Sequence, residues 1–373
     1  MECIRKSTSA RTAISVVAAA AALLLAGCGG GGSAGEQAAK VKFSALVSFG
    51  DSLSDVGSYR TPAIAAVGGG KYTVNGPDGL VWLERLAQQL ALPAPCAAQT
   101  GLLATGQLAA FAGPVVDHPG CTAYAQGGSR VTNPVGPWNA ALLASPNPST
   151  AFQGQLGQLT VPVTTQVATH LARNQGAFTG SELVLVMAGG NDAFVNLGAV
   201  GVTATPEQAA TAMGTAGAQL AALVKTQIVA KGAKYVVVVN LPNVSLTPST
   251  LAAEATAPGS KALTDTVTRA FNSQLAAGLD GVAGVLQVDA YAQNTDQVAN
   301  PTAYALTNVT SPACSSTSPA NPLPGYSLTC TTASTVPGDV SHYLYADTVH
   351  PTPFAHSLLA RLVSLGMARV GWL

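Results

Sequence analysis

Two short stretches near opposite ends of the chain carry residues suited to nucleophilic catalysis. Ser52 follows an apolar run, Phe43 to Phe49, that reads as a buried strand ended by Gly50. A serine in that setting projects its hydroxyl from the carboxyl end of a sheet, and the next turn offers free N–H groups to an anion. At the other end, Asp347 precedes His350 by three residues. Imidazole titrates near neutrality and can take the serine proton. A carboxylate so placed in a tight turn can hold the ring and stabilise the imidazolium. Acyl transfer through Ser52 also needs donors for an oxyanion. The N–H groups of Ser52 and Gly128 and the side-chain amide of Asn191 are the candidates, and glycine at 128 leaves the approach open.

Each of these residues also has an ordinary structural explanation. Ser52 and Ser54 suit a helix N-cap, Gly127-Gly128 a plain turn, and Asn191 and Asp192 a loop whose backbone they satisfy. Asp347 suits a surface carboxylate and His350 a helix flank. Their joint order is what separates the two readings, because each lies beside a predicted strand end or helix start.

The elements that must position them alternate between strand and helix. After the Ser52 turn comes a Gly/Asn/Pro loop, Tyr72 to Gly79, and then apolar residues at helical spacing from Leu80 to Leu92. Residues 93–120 read as an irregular, proline-containing excursion, and Tyr124 to Arg130 as a short strand running into a glycine turn. Residues 133–155 form another loop, and Leu159 to Arg173 an amphipathic helix. Glu182 to Met187 is an apolar strand stopping at Gly189-Gly190-Asn191-Asp192. Pro206 to Lys231 is an alanine-rich helix with Thr205 as N-cap, and Tyr235 to Val239 a β-branched strand. Ser260 to Leu279 is helical, Gly284 to Val288 a short strand, and Pro353 to Val370 a closing helix capped by Thr352. Such alternation predicts a parallel sheet covered on both faces, an α/β fold in one domain from residue 43 to the end. In that fold, segments after strands gather at one edge, so distant residues can share a site. The loops at 93–120, 133–155 and 300–340 are expected to shape its crevice.

Composition narrows the function class. Of 373 residues, 48% are hydrophobic and 9% charged, with 17 basic and 17 acidic groups. That excludes a disordered chain and leaves no charge footprint for nucleic acid. The amino terminus reads as an export signal over residues 1–27. Arg5, Lys6 and Arg11 precede an apolar core, Thr12 to Ala26, which is too short for the about 20 residues a spanning helix needs. The core ends in Leu24-Leu25-Ala26-Gly27-Cys28, which resembles a bacterial lipobox and predicts lipidation of Cys28. Ordinary cleavage near Ala26 is the alternative. Gly29 after the cysteine favours the outer membrane by analogy, so the expected protein is exported and either anchored there or secreted. Residues 28–42 form a flexible tether. Its matches to G-x-S-x-G (Gly31 to Gly35) and G-x-G-x-x-G (Gly30 to Gly35) follow no strand and are discarded.

Four further cysteines, Cys96, Cys121, Cys314 and Cys330, suit an oxidising compartment. Of three connectivities, Cys96–Cys121 with Cys314–Cys330 is preferred because it closes two loops rich in Pro and Gly. No C-x-x-C or H-E-x-x-H spacing supports a metal site.

The ordered set resembles the GDSL, or SGNH, family of serine esterases and lipases, which carries Ser, Gly, Asn and His in four blocks with an Asp three residues before the His. The resemblance implies Ser52 as nucleophile, Gly128 and Asn191 as oxyanion donors, and Asp347 with His350 as acid and base. It extends to Asn75-Gly76-Pro77 with Trp82, Val239 to Pro242, Ala270-Phe271-Asn272 and Tyr343-Leu344-Tyr345, as in the larger lipase-acylhydrolases. It implies a three-layer α/β/α sandwich with a flavodoxin-like parallel sheet, no cofactor, and a small-molecule or lipid ester as substrate. A monomer is expected, touching a membrane only through Cys28. Two positions depart from the pattern: Ala123-Tyr124 stands where an asparagine usually precedes the aromatic, and Tyr345-Ala346 where tryptophan is common. His118, His170, His342 and His356 receive no catalytic role. A phospholipase or acyltransferase would use the same acyl-enzyme, and a non-catalytic surface binding module is the reading from another class.

Overall fold

The computed structural model of the protein describes residues 40–373; the predicted signal segment, Cys28 and most of the tether lie outside them. Strand β1 (Leu46–Gly50) is buried along its whole length. The prediction began it at Phe43, which is also buried but packs edge-on against Tyr235 before the strand starts. Val41 N–H donates to Trp372 O at 3.1 Å, so the chain joins the fold two residues before the predicted boundary.

The remaining strands are β2 (Gln99–Leu102), β3 (Gly113–Asp117), β4 (Leu183–Met187), β5 (Tyr235–Val239), β6 (Val285–Val288), β7 (Asn308–Pro312) and β8 (Tyr343–Tyr345). Helices are α1 (Pro62–Ala66), α2 (Trp82–Gln89), α3 (Pro148–Gly154), α4 (Val163–Arg173) and α5 (Gly190–Ala199), followed by α6 (Pro206–Leu223), α7 (Pro248–Thr256), α8 (Ser260–Leu279), α9 (Ala290–Ala299) and α10 (Pro353–Arg369). Four strands pair in parallel in the order β1-β4-β5-β6. The predicted strand at Tyr124 is reduced to a parallel bridge between Ala123 and Ser48, on the free edge of β1. Counting it, the order is that of a flavodoxin-like doubly wound sheet.

β-branched and leucine side chains alternate across the sheet because successive residues of a strand face opposite ways. Phe49, Val184, Val186, Val236 and Val238 point into one core with residues of α4, α6 and α8. On the other face α2 packs on α10, whose Gly366 lies against Leu286 of β6. Helix starts follow their caps. Thr205 and Gln208 form a capping box before Pro206, and Thr352 accepts from Ala355 N–H before Pro353. The predicted helix to Lys231 ends its regular part at Leu223, continues through a wide turn (Val224–Ile228) and closes on a tight one.

Three segments read as loops contain structure. Residues 93–120 hold the antiparallel pair β2–β3, residues 133–155 hold α3, and residues 300–340 hold β7, which pairs in parallel with β8 just beyond them. All are short, and Gly or Pro interrupts or bounds most of them, so no period develops for sequence reading to detect. The disulfides Cys96–Cys121 and Cys314–Cys330 are both formed, in the preferred connectivity.

Gln166 of α4 ties β1 to its neighbours. Its Oε1 accepts from Gly50 N–H, and its Nε2 donates to the carbonyls of Gly50 and Val161, each at 2.8 Å. Gly50 itself cannot be replaced cheaply: it has a φ of +153°, and a Cβ there would meet Met187 O at 2.0 Å. Changing Gln166 to Leu strands a buried N–H. The expected loss is about 1–3 kcal/mol of unfolding free energy in urea titration, and a loss within about 0.5 kcal/mol would show the clamp to be dispensable.

Two histidines are buried away from the chain's surface. His170 stacks on Phe178, and His356 of α10 has no hydrogen-bond partner on either ring nitrogen. Burial lowers His170 to about 4 and His356 to about 3, from an ordinary 6.5. Below pH 6.5 the unfolded chain therefore binds protons that the folded chain refuses, and stability falls as pH falls. His356→Leu should gain on the wild type as pH drops from 7 to 4.5, by up to about 1.4 kcal/mol per pH unit. Parallel melting curves across that range would refute this point.

Candidate active site

Three loop segments and one helix terminus converge at the carboxyl end of the sheet. β1 runs into a tight turn, Ser52–Ser54, in which Asp51 accepts from Leu53 N–H at 3.1 Å. α5 starts directly after β4, placing Asn191 and Asp192 in its first turn. Leaving β8, the chain bends through Asp347 to His350, and Ala346 N–H closes the bend onto His350 O at 2.7 Å.

The structure brings Ser52, His350 and Asp347 into one chain of contacts. His350 Nε2 lies 2.9 Å from Ser52 Oγ. Its Nδ1 lies 2.7 Å from Asp347 Oδ2 and 2.9 Å from Oδ1. Asp347 Oδ1 also accepts from the N–H groups of Val349 and His350, at 2.9 and 2.8 Å, which is the tight turn the three-residue spacing predicts. Burial alone would raise the Asp347 pKa. An imidazolium at His350 and hydrogen bonds from His350, Ser327 and Val349 more than offset that and hold it at about 2. The carboxylate is ionised at every pH where the protein would work.

The glycine block is joined to this centre by another buried carboxylate. Asp55 accepts from Gly57, Ser58 and Gly127 N–H groups, at 2.8, 2.7 and 2.9 Å. Burial pushes its pKa up to about 6, against those three bonds. Gly127 N–H is thereby consumed, whereas among the described residues Gly128 N–H and Ser52 N–H find no acceptor. Gly128 has a φ of +80°, and a Cβ would meet Thr160 Cγ2 at 2.6 Å and Pro137 O at 2.7 Å. Glycine at 128 is therefore demanded by its packing and backbone angle, a different reason from the open approach expected from sequence. Asn191 Nδ2 donates one hydrogen to Ser129 O at 2.9 Å and keeps a second. Asp192 has the structural role: it accepts from Val131 N–H and pairs with Arg130 at 3.0 Å.

Several supporting residues escaped sequence reading. Ser327 N–H donates to Asp347 Oδ2 at 3.0 Å. Asn75 Nδ2 lies 2.9 Å from Ser327 O and 3.0 Å from Cys330 O, fixing the loop that carries Ser327. The Tyr72 ring packs against His350 at 4.8 Å between centroids. A Cβ on Gly127 would strike the Tyr72 hydroxyl, so glycine there makes room for the ring. Asp55 had a usable signal, an acidic residue in a small and apolar block of a chain with few charges. Ser327 and Tyr72 had none, since their roles depend on long-range packing. Asn272 joins two of the quoted motifs, accepting from Leu241 N–H and donating to Leu241 O, both at 2.9 Å. Of the other histidines, His118 bonds Thr100 and His342 stacks on Phe354, both away from Ser52.

A cleft opens beside Ser52 and His350, walled mainly by apolar side chains that include Leu53, Phe194, Leu241, Val244 and Leu359. None of its lining comes from residues 93–120, 133–155 or 300–340, which corrects the expectation that those loops shape it. The segments after β5 and β6 line it instead. Tyr326, from the third of those loops, stands behind His350, where it stacks on Trp138.

Comparison with known proteins agrees with this geometry. The model of the family described as GDSL-like Lipase/Acylhydrolase matches residues 46–363. No curated protein matches the chain. The match runs from the first residue of β1 into α10 and takes in every segment of the site, and the chain belongs to the GDSL-like lipase/acylhydrolase family of hydrolases.

Proposed function

We propose that the protein cleaves carboxylic esters through an acyl-enzyme on Ser52. The 2.9 Å approach of His350 Nε2 to Ser52 Oγ, with Nδ1 held by Asp347, is the observation that carries this reading. The proton on Nδ1 lies toward the carboxylate, which leaves the Nε2 lone pair facing the hydroxyl. As Ser52 Oγ attacks the ester carbonyl carbon, its proton passes to Nε2. The tetrahedral oxyanion is met by the unpaired N–H groups of Ser52 and Gly128 and by the second amide hydrogen of Asn191. Collapse breaks the bond to the alkoxy oxygen, which leaves as alcohol with the proton from Nε2. Water, deprotonated by the same nitrogen, then releases the acid and restores Ser52.

An apolar cleft beside the serine supports an ester with a chain to bury, because such walls remove hydrocarbon from water. Export, with a lipid on Cys28, belongs to the same reading and rests on the sequence alone.

Ser52→Ala should abolish hydrolysis of p-nitrophenyl butyrate and labelling by a fluorophosphonate probe, with an unchanged circular dichroism spectrum. Turnover retained in that variant would overturn the reading. Asn191→Ala should lower kcat by roughly 10²–10³, the range for one oxyanion donor. A loss below about threefold would remove Asn191 from that role.

A further inference from the structure

The cleft is walled mainly by apolar side chains, and on one wall two buried polar atoms are unsatisfied. Asn294 and Gln297 lie three residues apart on α9, on the face that Ala290 also turns to the cleft. Both are more than nine-tenths buried, with 8% and 5% of their surface exposed. Tyr345 of β8 lines the cleft beside them and is 4% exposed. Asn294 Oδ1 and the Tyr345 hydroxyl make no hydrogen bond of good geometry, and the one polar group near the hydroxyl is the Asn294 amide itself, which pulls the Tyr345 pKa down against the effect of burial. Buried polar atoms are nearly always paired, because leaving one unmade forfeits its hydration with nothing in return. Leucine or methionine at these positions would complete the apolar wall that Leu53, Phe194 and Leu359 begin. Two buried polar atoms at this wall, Asn294 Oδ1 and the Tyr345 hydroxyl, are left without a partner, and the Gln297 amide stands beside them.

We propose that Asn294, Gln297 and the Tyr345 hydroxyl form a polar subsite in the cleft beside Ser52, which takes a hydroxyl or carbonyl group carried on the chain of the ester substrate. The proposal rests on the ester-hydrolase reading and narrows it to esters with a hydrogen-bonding group remote from the scissile bond. An amide offers both donor and acceptor, and a phenol does the same, so either a hydroxyl or a carbonyl can be matched. A site built to bond such a group discriminates strongly against the plain analogue, which leaves the wall unpaired.

The test compares kcat/KM for pairs of equal length. On the acyl side, methyl hexanoate is set against methyl 5-oxohexanoate and methyl 6-hydroxyhexanoate. On the alcohol side, hexyl acetate is set against 6-hydroxyhexyl acetate. Acid release is followed by titration. At least one functionalised chain should be preferred about tenfold or more, and the side on which it appears tells which part of the ester enters the cleft. Tyr345→Phe keeps the ring and should cut that preference while raising Tm, since it deletes an unpaired hydroxyl. Asn294→Leu should do the same. Equal kcat/KM for every pair in the wild type overturns the subsite, with the polar wall then merely hydrated. So does a preference that survives in both variants. Either result leaves the Ser52 mechanism standing, whereas loss of the mechanism would appear separately as activity in Ser52→Ala.

Discussion

The imidazole of His350 is held at both nitrogens at once, and that double contact depends on the rest of the fold. One grip is local, because Asp347 lies in the same turn and accepts from Nδ1 at 2.7 Å. The other spans 298 positions of sequence, from His350 Nε2 to Ser52 Oγ. A contact of that span exists only if the sheet holds the end of β1 beside the turn that precedes α10. Thr73 Oγ1, donating to Pro351 O at 2.9 Å, and the Tyr72 ring against the imidazole fasten that turn from the side. The Cys314–Cys330 bridge sits at the root of the Ser327 loop, which Asn75 in turn secures. The histidine is thus oriented by layers of neighbours, each fixed by the next.

Buried carboxylates join the strand-end loops to one another. In a chain with 9% charged residues, Asp51, Asp55, Asp192 and Asp347 are all buried around one edge of the sheet. Taking a carboxylate out of water is costly, and it is tolerated here because backbone N–H groups replace the water. Burial still prevails at Asp51, raised to about 7, despite the Leu53 N–H and the charge of His350. Asp55 reaches from the serine turn to Gly127, and Asp192 from α5 to Val131. Asp55, Asp192 and Asp347 each tie two segments together, and these segments carry the unpaired N–H groups of Ser52 and Gly128.

Much of this was legible in the residues themselves. Strand β5 and helix α8 have the predicted bounds, because β-branched runs and 3.6-residue periodicity report burial directly. The caps at Thr205 and Thr352 and the turn from Asp347 to His350 are local hydrogen-bond arrangements, so local sequence suffices to find them. The strand at Tyr124 shrank to a bridge because it lies at the edge of the sheet, where few partners compel regular pairing. The pairs β2–β3 and β7–β8 escaped because their strands are short and broken by Gly101, Pro114 and Pro312.

The sequence by itself determined the alternation of strands and helices, the family, and the residue types that meet at the sheet's edge, since these follow from hydrophobic period and from chemistry written in contiguous blocks. Only the tertiary structure decided which glycine N–H stays free, that Ser327 and Tyr72 brace the histidine, and that the cleft is walled by the segments after β5 and β6. Those outcomes depend on contacts between residues tens to hundreds of positions apart. Such contacts are set by how the layers pack, and no short window of sequence contains both partners.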